Sequence, residues 1–202
     1  MICTIFLIRH GKTKGNIEKR YIGSKTNEAL CQDGIDEIIK AKDKYNYLSA
    51  NGRILSGPME RCIGTAKLLF SSEKIEINEG LTEMDFGIFE NLNFTELKDS
   101  KEYREWVDSN CEGKIPEGEK LSDFIDRSYD AFNIILKTIK DKESVTIVCH
   151  GGNIMSIMSK LTKGNYFDYH INPLCGYHID LLVEEGKVDA ISYNRITPWS
   201  DT

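Results

Sequence analysis

The sequence predicts an α/β fold, a three-layer α/β/α sandwich with a mostly parallel central sheet. Two almost unbroken apolar, β-branched runs, residues 2–8 and 145–149, are typical of strands buried on both faces of a parallel sheet. Between and after them, amphipathic helical patterns alternate with shorter strand-like segments, which is the order of elements in α/β proteins. The 202 residues contain no repeat, low-complexity tract or linker, so a single domain over 1–202 is expected.

The elements of the first half follow from periodicity and from capping residues. A helix is predicted from 33 to about 50, where apolar residues recur at helical spacing. A short strand over 53–56 comes next, and a helix then opens at Pro58 and runs to about 70, with Ser56 as its cap. Residues 74–78 form another predicted strand.

The second half carries the clearest helical pattern and a hairpin. Residues 118–140 show an apolar stripe at helical spacing, which predicts a helix that faces the core. A further helix is expected over 153–161. The last two strands, 177–183 and 188–193, are expected to pair through a turn at 184–187.

Residues from about 80 to 118 do not fit this alternation. They are predicted to fold as a small helical cover over the C-terminal ends of the strands. Their aromatic residues are expected to form a hydrophobic lip suited to a bulky leaving group. These residues are Phe86, Phe89, Phe94 and Trp106.

Composition and charge limit the classes of function. The formal net charge of −6 argues against nucleic acid or an anionic membrane as the main partner. No apolar segment is long enough to span a bilayer, and the apolar start lacks the basic leader of a signal peptide. Six scattered cysteines without a CxxC pair indicate reduced thiols in a cytoplasmic protein.

Two of the four histidines stand at the same place in the predicted fold. His10 and His150 each follow a buried strand and precede a glycine. Because ligands bind beyond the carboxyl ends of strands in α/β sheets, the two imidazoles are expected to face one pocket. Arg9 adds an obligate cation, and Gly11 and Gly151 let backbone N–H groups approach a ligand closely. A phosphate monoester is the simplest ligand for such a group.

His10 is the candidate nucleophile, since imidazole is largely unprotonated at neutral pH and a ring nitrogen can attack phosphorus directly. Phosphoryl transfer also needs positive charge around the phosphate oxygens. Arg9, Arg61 and His150 are candidates for that role, with Asn16 as a neutral donor. Arg61 falls in the first turn of a predicted helix, where the dipole favours an anion, although taken alone it is more typical of a surface arginine.

A departing alkoxide needs a proton donor, and Glu83 and Asp85 are the carboxylates nearest a turn with aromatic residues and a glycine. Aromatic shielding and a nearby phosphate both raise the pKa of a carboxyl. Glu83 is therefore the candidate that donates a proton and later activates water. Taken singly, either acid is more typical of a solvated loop, and His170 and His178 are expected to have structural or surface roles.

Several segments resemble the motifs of the histidine phosphatase, or phosphoglycerate-mutase-like, superfamily, and they occur in the same order. Residues 9–16 (RHGKTKGN) resemble the signature RHGxTxxN, and residues 149–152 (CHGG) resemble the second histidine motif. The other matching segments are 30–34 (LCQDG, family LTxxG), 56–66 (SGPMERCIGTA, family SSPLxRxxxTA), 83–90 (EMDFGIFE, family ExxFGxWE) and 116–119 (PEGE, family PGGE).

The resemblance implies that His10 is the phosphorylated nucleophile and that Glu83 is the acid and base. It also implies a phosphate pocket formed by Arg9, Arg61, His150, Asn16 and Gly23. Three positions depart from the family pattern and bear on substrate selection. They are Cys31 in place of a hydroxyl residue, Glu117 in place of a glycine and Met155 in place of an arginine.

Signatures of other phosphate-binding or catalytic classes are missing from the sequence. No Cys-x5-Arg starts at Cys62 or Cys149, Phe6 stands where a P-loop needs glycine, and neither GxG nor HExxH occurs. A non-catalytic phosphate-binding module is expected to have lost His10 or Glu83, and both are present.

The sequence thus predicts a phosphoric monoester hydrolase that acts through a phosphohistidine on a small phosphorylated metabolite, without a cofactor or a metal. It is similar to the α-ribazole phosphate phosphatases and to the broad-specificity phosphatases, and the choice between them stays open. A phosphoglycerate mutase of the same superfamily is the alternative. The chain is shorter than typical mutases, and residues 83–90 resemble the phosphatase version of their motif. No oligomeric state is predicted.

Overall fold

A computed structural model describes residues 1–48, 52–70, 74–184 and 187–199 of the protein. Within this part, one sheet contains six strands, β1 (Ile2–Arg9), β2 (Gly52–Ser56), β3 (Ile75–Ile77), β4 (Ser144–Cys149), β5 (Gly176–Glu184) and β6 (Lys187–Ile196). Their order across the sheet is β3-β2-β4-β1-β5-β6. The first four are parallel to one another, whereas β5 and β6 pair in antiparallel fashion. The predicted α/β class with a mostly parallel sheet is confirmed.

Helices cover both faces of the sheet. The helices are α1 (Lys14–Ile17), α2 (Gln32–Ala41), α3 (Glu60–Leu69), α4 (Phe94–Leu97), α5 (Lys101–Asp108), α6 (Leu121–Leu136) and α7 (Gly151–Thr162). Along β1, Ile5 and Leu7 pack in the core that α6 and α7 complete, while Phe6 and Ile8 pack in the core of α2 and α3. Side chains of a strand alternate between its faces, so an unbroken apolar run fills both cores. No helix of the described residues is long and apolar enough to cross a membrane.

The start of the helix predicted over 58–70, which corresponds to α3, is wrong by two residues. Helix α3 begins at Glu60 with Met59 at its N-cap, and neither Ser56 nor Pro58 belongs to it. The Gly57 amide still donates to the carbonyl of Val148, so the chain leaves the sheet only after this residue. The Ser56 hydroxyl donates to the Gly57 carbonyl and caps no helix.

Other boundaries differ by a few residues. The helix predicted over 33–50 ends as an α-helix at residue 41 and continues as a 3-10 helix over Lys42–Leu48, while residues 49–51 lie outside the described part. The helix predicted from 118 begins only at residue 121, and the one predicted from 153 begins at 151, directly after His150. The hairpin of β5 and β6 is confirmed, although Glu185 and Gly186 of its turn are not among the described residues.

Cys31 leaves helix α2 without a side-chain cap. It has the extended N-cap backbone, with φ −81° and ψ 167°, but its side chain makes no capping hydrogen bond. A hydroxyl at this position accepts an amide hydrogen from the first turn. Cys31→Ser is therefore expected to raise the free energy of unfolding by about 0.5–1 kcal/mol in urea titrations. Cys31→Ala is the control, since it removes the sulfur without adding a cap, and an equal gain in both variants would contradict the prediction.

The segment from about 80 to 118 forms short helices around a small core of its own. This core includes Phe89, Leu97, Tyr103 and Trp106, together with residues of α6. Phe89 is fully buried in this core, Phe94 is 62% exposed, and neither lines the cavity beyond the strand ends, so the predicted lip does not include them. In an irregular segment the sequence has no period that would assign each aromatic residue to a face.

Glu117 occupies a backbone conformation that favours glycine. Its φ is 58°, in the left-handed region, and it stands where the family motif has a glycine. The Glu117 carbonyl accepts a hydrogen bond from Lys25 Nζ at 2.8 Å. The departure at this position therefore lies in a turn of the cover.

Candidate active site

The sheet register brings His10 and His150 together. Strands β1 and β4 are neighbours, and Arg9 is paired with Cys149. The residue that follows each strand is a histidine, so both histidines lie at the same edge of the sheet. Their ring centroids lie 5.2 Å apart at an interplanar angle of 70°. The two imidazoles, separated by 140 positions in the sequence, thus form one site.

His10 is held as a neutral ring with one free nitrogen. Its Nδ1 lies 2.7 Å from the carbonyl oxygen of Gly11, and a carbonyl only accepts hydrogen bonds. Nδ1 therefore carries the proton, which leaves a lone pair on Nε2. Burial, followed by the charges of Arg61 and Arg9, holds the pKa of His10 well below its ordinary 6.5. The free lone pair is thus present at neutral pH and below.

Arg61 lies underneath this site and is almost completely buried, at 1% exposed, so it is not a surface arginine. Its Nε donates to His150 Nδ1 at 3.3 Å, and its terminal nitrogens donate to the carbonyls of Thr26 and Gly23 at 2.8 and 3.2 Å. Because His150 accepts at Nδ1, its ring proton is on Nε2. Burial and Arg61 lower the pKa of His150 well below 6.5, so this ring is neutral and does not supply the positive charge that the sequence predicted. Its Nε2 lies 3.4 Å from Cys62 Sγ.

Arg9 has an unused donor in the buried part of the site. Its Nη1 donates to the carbonyl of Ile171 at 2.7 Å, while its Nε is buried and has no hydrogen-bond partner among the described residues. Leaving such a donor unpaired costs about 1–3 kcal/mol, which an anionic acceptor would remove. Gly151 provides space beside it, since a Cβ built there would lie 3.4 Å from Arg9 Nε.

Glu83 brings a buried carboxyl to the same site. Its Oε1 accepts the Met84 amide at 2.9 Å, and its Oε2 lies 4.0 Å from His150 Nδ1. Burial raises the pKa of Glu83, and the Met84 amide together with Arg61 and Arg9 offsets part of this rise. Gly152 is required beside it, because a Cβ there would lie 2.3 Å from Oε1. The carboxyl therefore keeps its proton to a higher pH than an exposed glutamate does.

A cavity of about 250 Å³ is lined by Arg9, His10 and Glu83, whereas Arg61 and His150 are not among its lining residues. Asn16 and Gly151, both predicted as substrate-binding residues, line it. Gly23 is not among the lining residues. Its amide donates to Glu90 Oε1 at 2.8 Å and its carbonyl accepts from Arg61, so it holds Arg61 in place.

The walls of the cavity are mostly apolar. Phe86 and Trp106 line it as predicted for the lip, and Met155 lines it where many family members carry an arginine. Further lining residues that the sequence analysis did not identify are Arg20, Tyr21, Ile22, Met84, Cys111, Leu121, Tyr166, Phe167 and His170. Several of these lie in loops, which have no period to reveal which way a side chain points. His170, for which a structural or surface role was expected, is exposed and lines the cavity.

Across the part of the chain that the structure describes, no group of three or more His, Cys, Asp or Glu side chains is arranged to hold a metal ion.

Comparison with known proteins agrees with the motifs. The family model described as histidine phosphatase superfamily (branch 1) matches residues 5–194. "Probable phosphoglycerate mutase GpmB" of Escherichia coli O1:K1 is 27% identical over 141 residues, which are 68% of this chain and 63% of that protein. The match thus spans less than two thirds of the length of this curated relative.

Two solved structures share the fold. The alpha-ribazole phosphatase from Shigella flexneri gives a TM-score of 0.76 at 22% identity, covering 93% of this chain and 94% of the other. Phosphoserine phosphatase from Entamoeba histolytica, in complex with 3-phosphoglyceric acid, gives a TM-score of 0.78 at 20% identity, covering 97% and 98%.

Proposed function

Since the chain belongs to the histidine phosphatase superfamily, we propose that it is a phosphomonoester hydrolase that works through a phosphohistidine on His10. One observation supports this most strongly. His10 with a free Nε2, the Glu83 carboxyl with a raised pKa and Arg9 with an unpaired Nε line one cavity. Behind them the buried Arg61 donates to His150, whose ring packs against that of His10. This is the combination of nucleophile, acid and positive charge that phosphoryl transfer requires.

In the first step, His10 Nε2 attacks phosphorus while the bond to the leaving-group oxygen breaks. The Glu83 carboxyl gives its proton to that oxygen, and the alcohol departs. The ring of His10 gains positive charge, which its Nδ1–H bond to the Gly11 carbonyl stabilises. Arg9 and Arg61 neutralise the charge on the phosphoryl oxygens.

In the second step, water attacks the phosphohistidine. The Glu83 carboxylate takes a proton from the water, the P–N bond breaks, and its electron pair returns to His10 Nε2. Inorganic phosphate leaves, and both catalytic groups regain their starting protonation. The net reaction consumes one ester and one water and releases one alcohol and one phosphate.

The cavity favours an apolar or aromatic leaving group. Phe86, Trp106 and Met155 present apolar surface, and Arg20 is already paired with Glu18 and Glu96. The substrate class we propose is therefore a small metabolite phosphate with a bulky, weakly charged alcohol, for which α-ribazole 5'-phosphate is a candidate. A panel of phosphate esters ranked by kcat/KM identifies the preferred class.

The choice between hydrolase and mutase is testable, and the curated relative named as a mutase makes the test necessary. A mutase must hold the carboxylate of a phosphoglycerate, yet none of the basic residues of the cover lines the cavity. These residues are Lys98, Lys101, Arg104 and Lys114. We expect net phosphate release, with negligible interconversion of 2- and 3-phosphoglycerate even after priming with 2,3-bisphosphoglycerate. Mutase flux greater than phosphate release would contradict the proposal.

Activity is expected to survive exhaustive chelation, because Arg9 and Arg61 supply the positive charge around the phosphate. Initial rates are measured after treatment with EDTA and 1,10-phenanthroline, with a zinc-dependent phosphatase in parallel to verify that chelation is complete. A rate that returns only on addition of Mg²⁺ or Zn²⁺ would show that a ligand set has been overlooked.

A further inference from the structure

One arginine outside the cavity hydrogen-bonds to the backbone of the loop that carries Glu83. Arg127, on α6, donates from Nη1 to the carbonyl of Thr82 and from Nη2 to the carbonyl of Glu83, both at 2.9 Å. Two successive carbonyls are therefore fixed by one planar guanidinium. Arg127 is not among the residues that line the cavity, so it acts on the loop rather than on the substrate.

Glu119 pairs with Arg127 and binds the backbone on the other side of Glu83. Its Oε1 accepts from Arg127 Nε at 2.6 Å, and its Oε2 accepts from Arg127 Nη2 at 2.8 Å. The same Oε2 accepts the backbone amide of Asp85 at 2.8 Å. The pair thus binds the backbone at Thr82, at Glu83 itself and at Asp85. Glu119 is the last residue of the segment that resembles PGGE, to which the proposed reaction assigns no role.

These hydrogen bonds fix the position of the loop, and an acid catalyst must lie within hydrogen-bond distance of the leaving-group oxygen. A displacement of 1 Å in a catalytic group costs about 10²-fold in rate. The Glu83 carboxyl is itself tied to its own backbone segment through the Met84 amide. Moving the loop therefore moves the carboxyl with it.

We propose that the Glu119–Arg127 pair is a positioning device that sets the Glu83 carboxyl for proton transfer to the leaving group. The inference rests on the proposed function, in which Glu83 is the acid. Both side chains are partly exposed, at 23% for Glu119 and 34% for Arg127, so the pair lies near the surface rather than in the core.

The test compares Arg127→Met with a matched control, Arg53→Met. Arg53 makes a similar two-point pair with Glu76, from Nε at 3.2 Å and from Nη2 at 2.6 Å, between strands β2 and β3. Its exposed fraction, 29%, is close to that of Arg127. The control therefore removes an equivalent arginine pair that has no contact with the Glu83 loop.

Single-turnover phosphoryl transfer is measured with an alkyl phosphate and with 4-nitrophenyl phosphate, whose leaving group needs no proton. For Arg127→Met we expect about a 10–10²-fold loss with the alkyl ester and less than about a threefold loss with the nitrophenyl ester. Arg53→Met is expected to change neither rate. In the Glu83→Gln background, Arg127→Met is expected to add no further alkyl-selective loss, because the proton is already gone.

An equal loss with both esters would overturn the proposal, since it would make Arg127 a general support of the fold. If Arg127→Met does not fold, Glu119→Gln decides in the same way, through an alkyl-selective loss or its absence. If Glu83→Gln is alkyl-selective and Arg127→Met is not, this inference alone fails. If Glu83→Gln shows no selectivity, the acid assignment of the proposed function fails and this inference fails with it.

Discussion

His10→Ala is expected to lower turnover by about 10⁴-fold or more, the scale observed when a covalent nucleophile is removed. His150 does not replace it, because its proton is on Nε2 and its ring is fully buried. The protein is expected to stay folded, because the ring makes one hydrogen bond, to the Gly11 carbonyl. Steady-state kinetics and circular dichroism measure the two effects.

The pH dependence of stability provides an independent check on His10. Its pKa in the folded protein is lowered below 6.5, so the unfolded chain binds a proton more readily. The contribution of the neutral ring to stability is therefore complete above about pH 6.5 and is lost as the pH falls toward the lowered folded pKa. His10→Ala is expected to lose less unfolding free energy than the wild type between pH 7.5 and 5.5. An equal loss would show that His10 is not held neutral by burial.

Glu83→Gln is expected to slow the hydrolysis of alkyl esters by about 10²–10⁴-fold. The amide keeps the size of the side chain and can still accept from the Met84 amide, but it has no proton to give. Esters of acidic phenols, whose leaving groups depart unprotonated, are expected to lose much less in the phosphorylation step. Equal losses in single-turnover measurements with both ester classes would remove Glu83 from the acid role.

The same variant is expected to change the pH profile. Burial raises the pKa of Glu83, so the acid form persists above the ordinary 4.5, and kcat/KM for alkyl esters falls as the pH rises through this raised pKa. Glu83→Gln is expected to lose this alkaline limb. A limb that persists in the variant would belong to another group.

The strand ends and the pair of histidines were predictable from the sequence because buried parallel strands have a strong signal. An apolar run before His10 and another before His150 identify β1 and β4, and parallel strands place their carboxyl ends at one edge of the sheet. The neighbouring position of β1 and β4 was not predictable in this way, since the strand order depends on contacts distant in the sequence.

The burial of Arg61 and the walls of the cavity were beyond the reach of local patterns. Arg61 is held by Gly23 and Thr26 of one loop and by His150, and both partner segments are distant from it in the sequence. The start of α3 was misplaced because Met59 caps the helix without a side-chain hydrogen bond, so no capping residue marks it. Loop residues such as Tyr21 line the cavity through tertiary packing, which leaves no period in the sequence.

The central claim is that the phosphoryl group passes through His10, and trapping that intermediate tests it most directly. The protein is mixed with substrate labelled in its phosphoryl group, quenched within milliseconds in alkali and digested for mass spectrometry. We expect an acid-labile, base-stable P–N bond on His10, absent in His10→Ala. Label on a cysteine or serine would contradict it. So would turnover of labelled 4-nitrophenyl phosphate by Glu83→Gln without any labelled protein at saturating substrate, because this ester spares the first step while the second step is slowed.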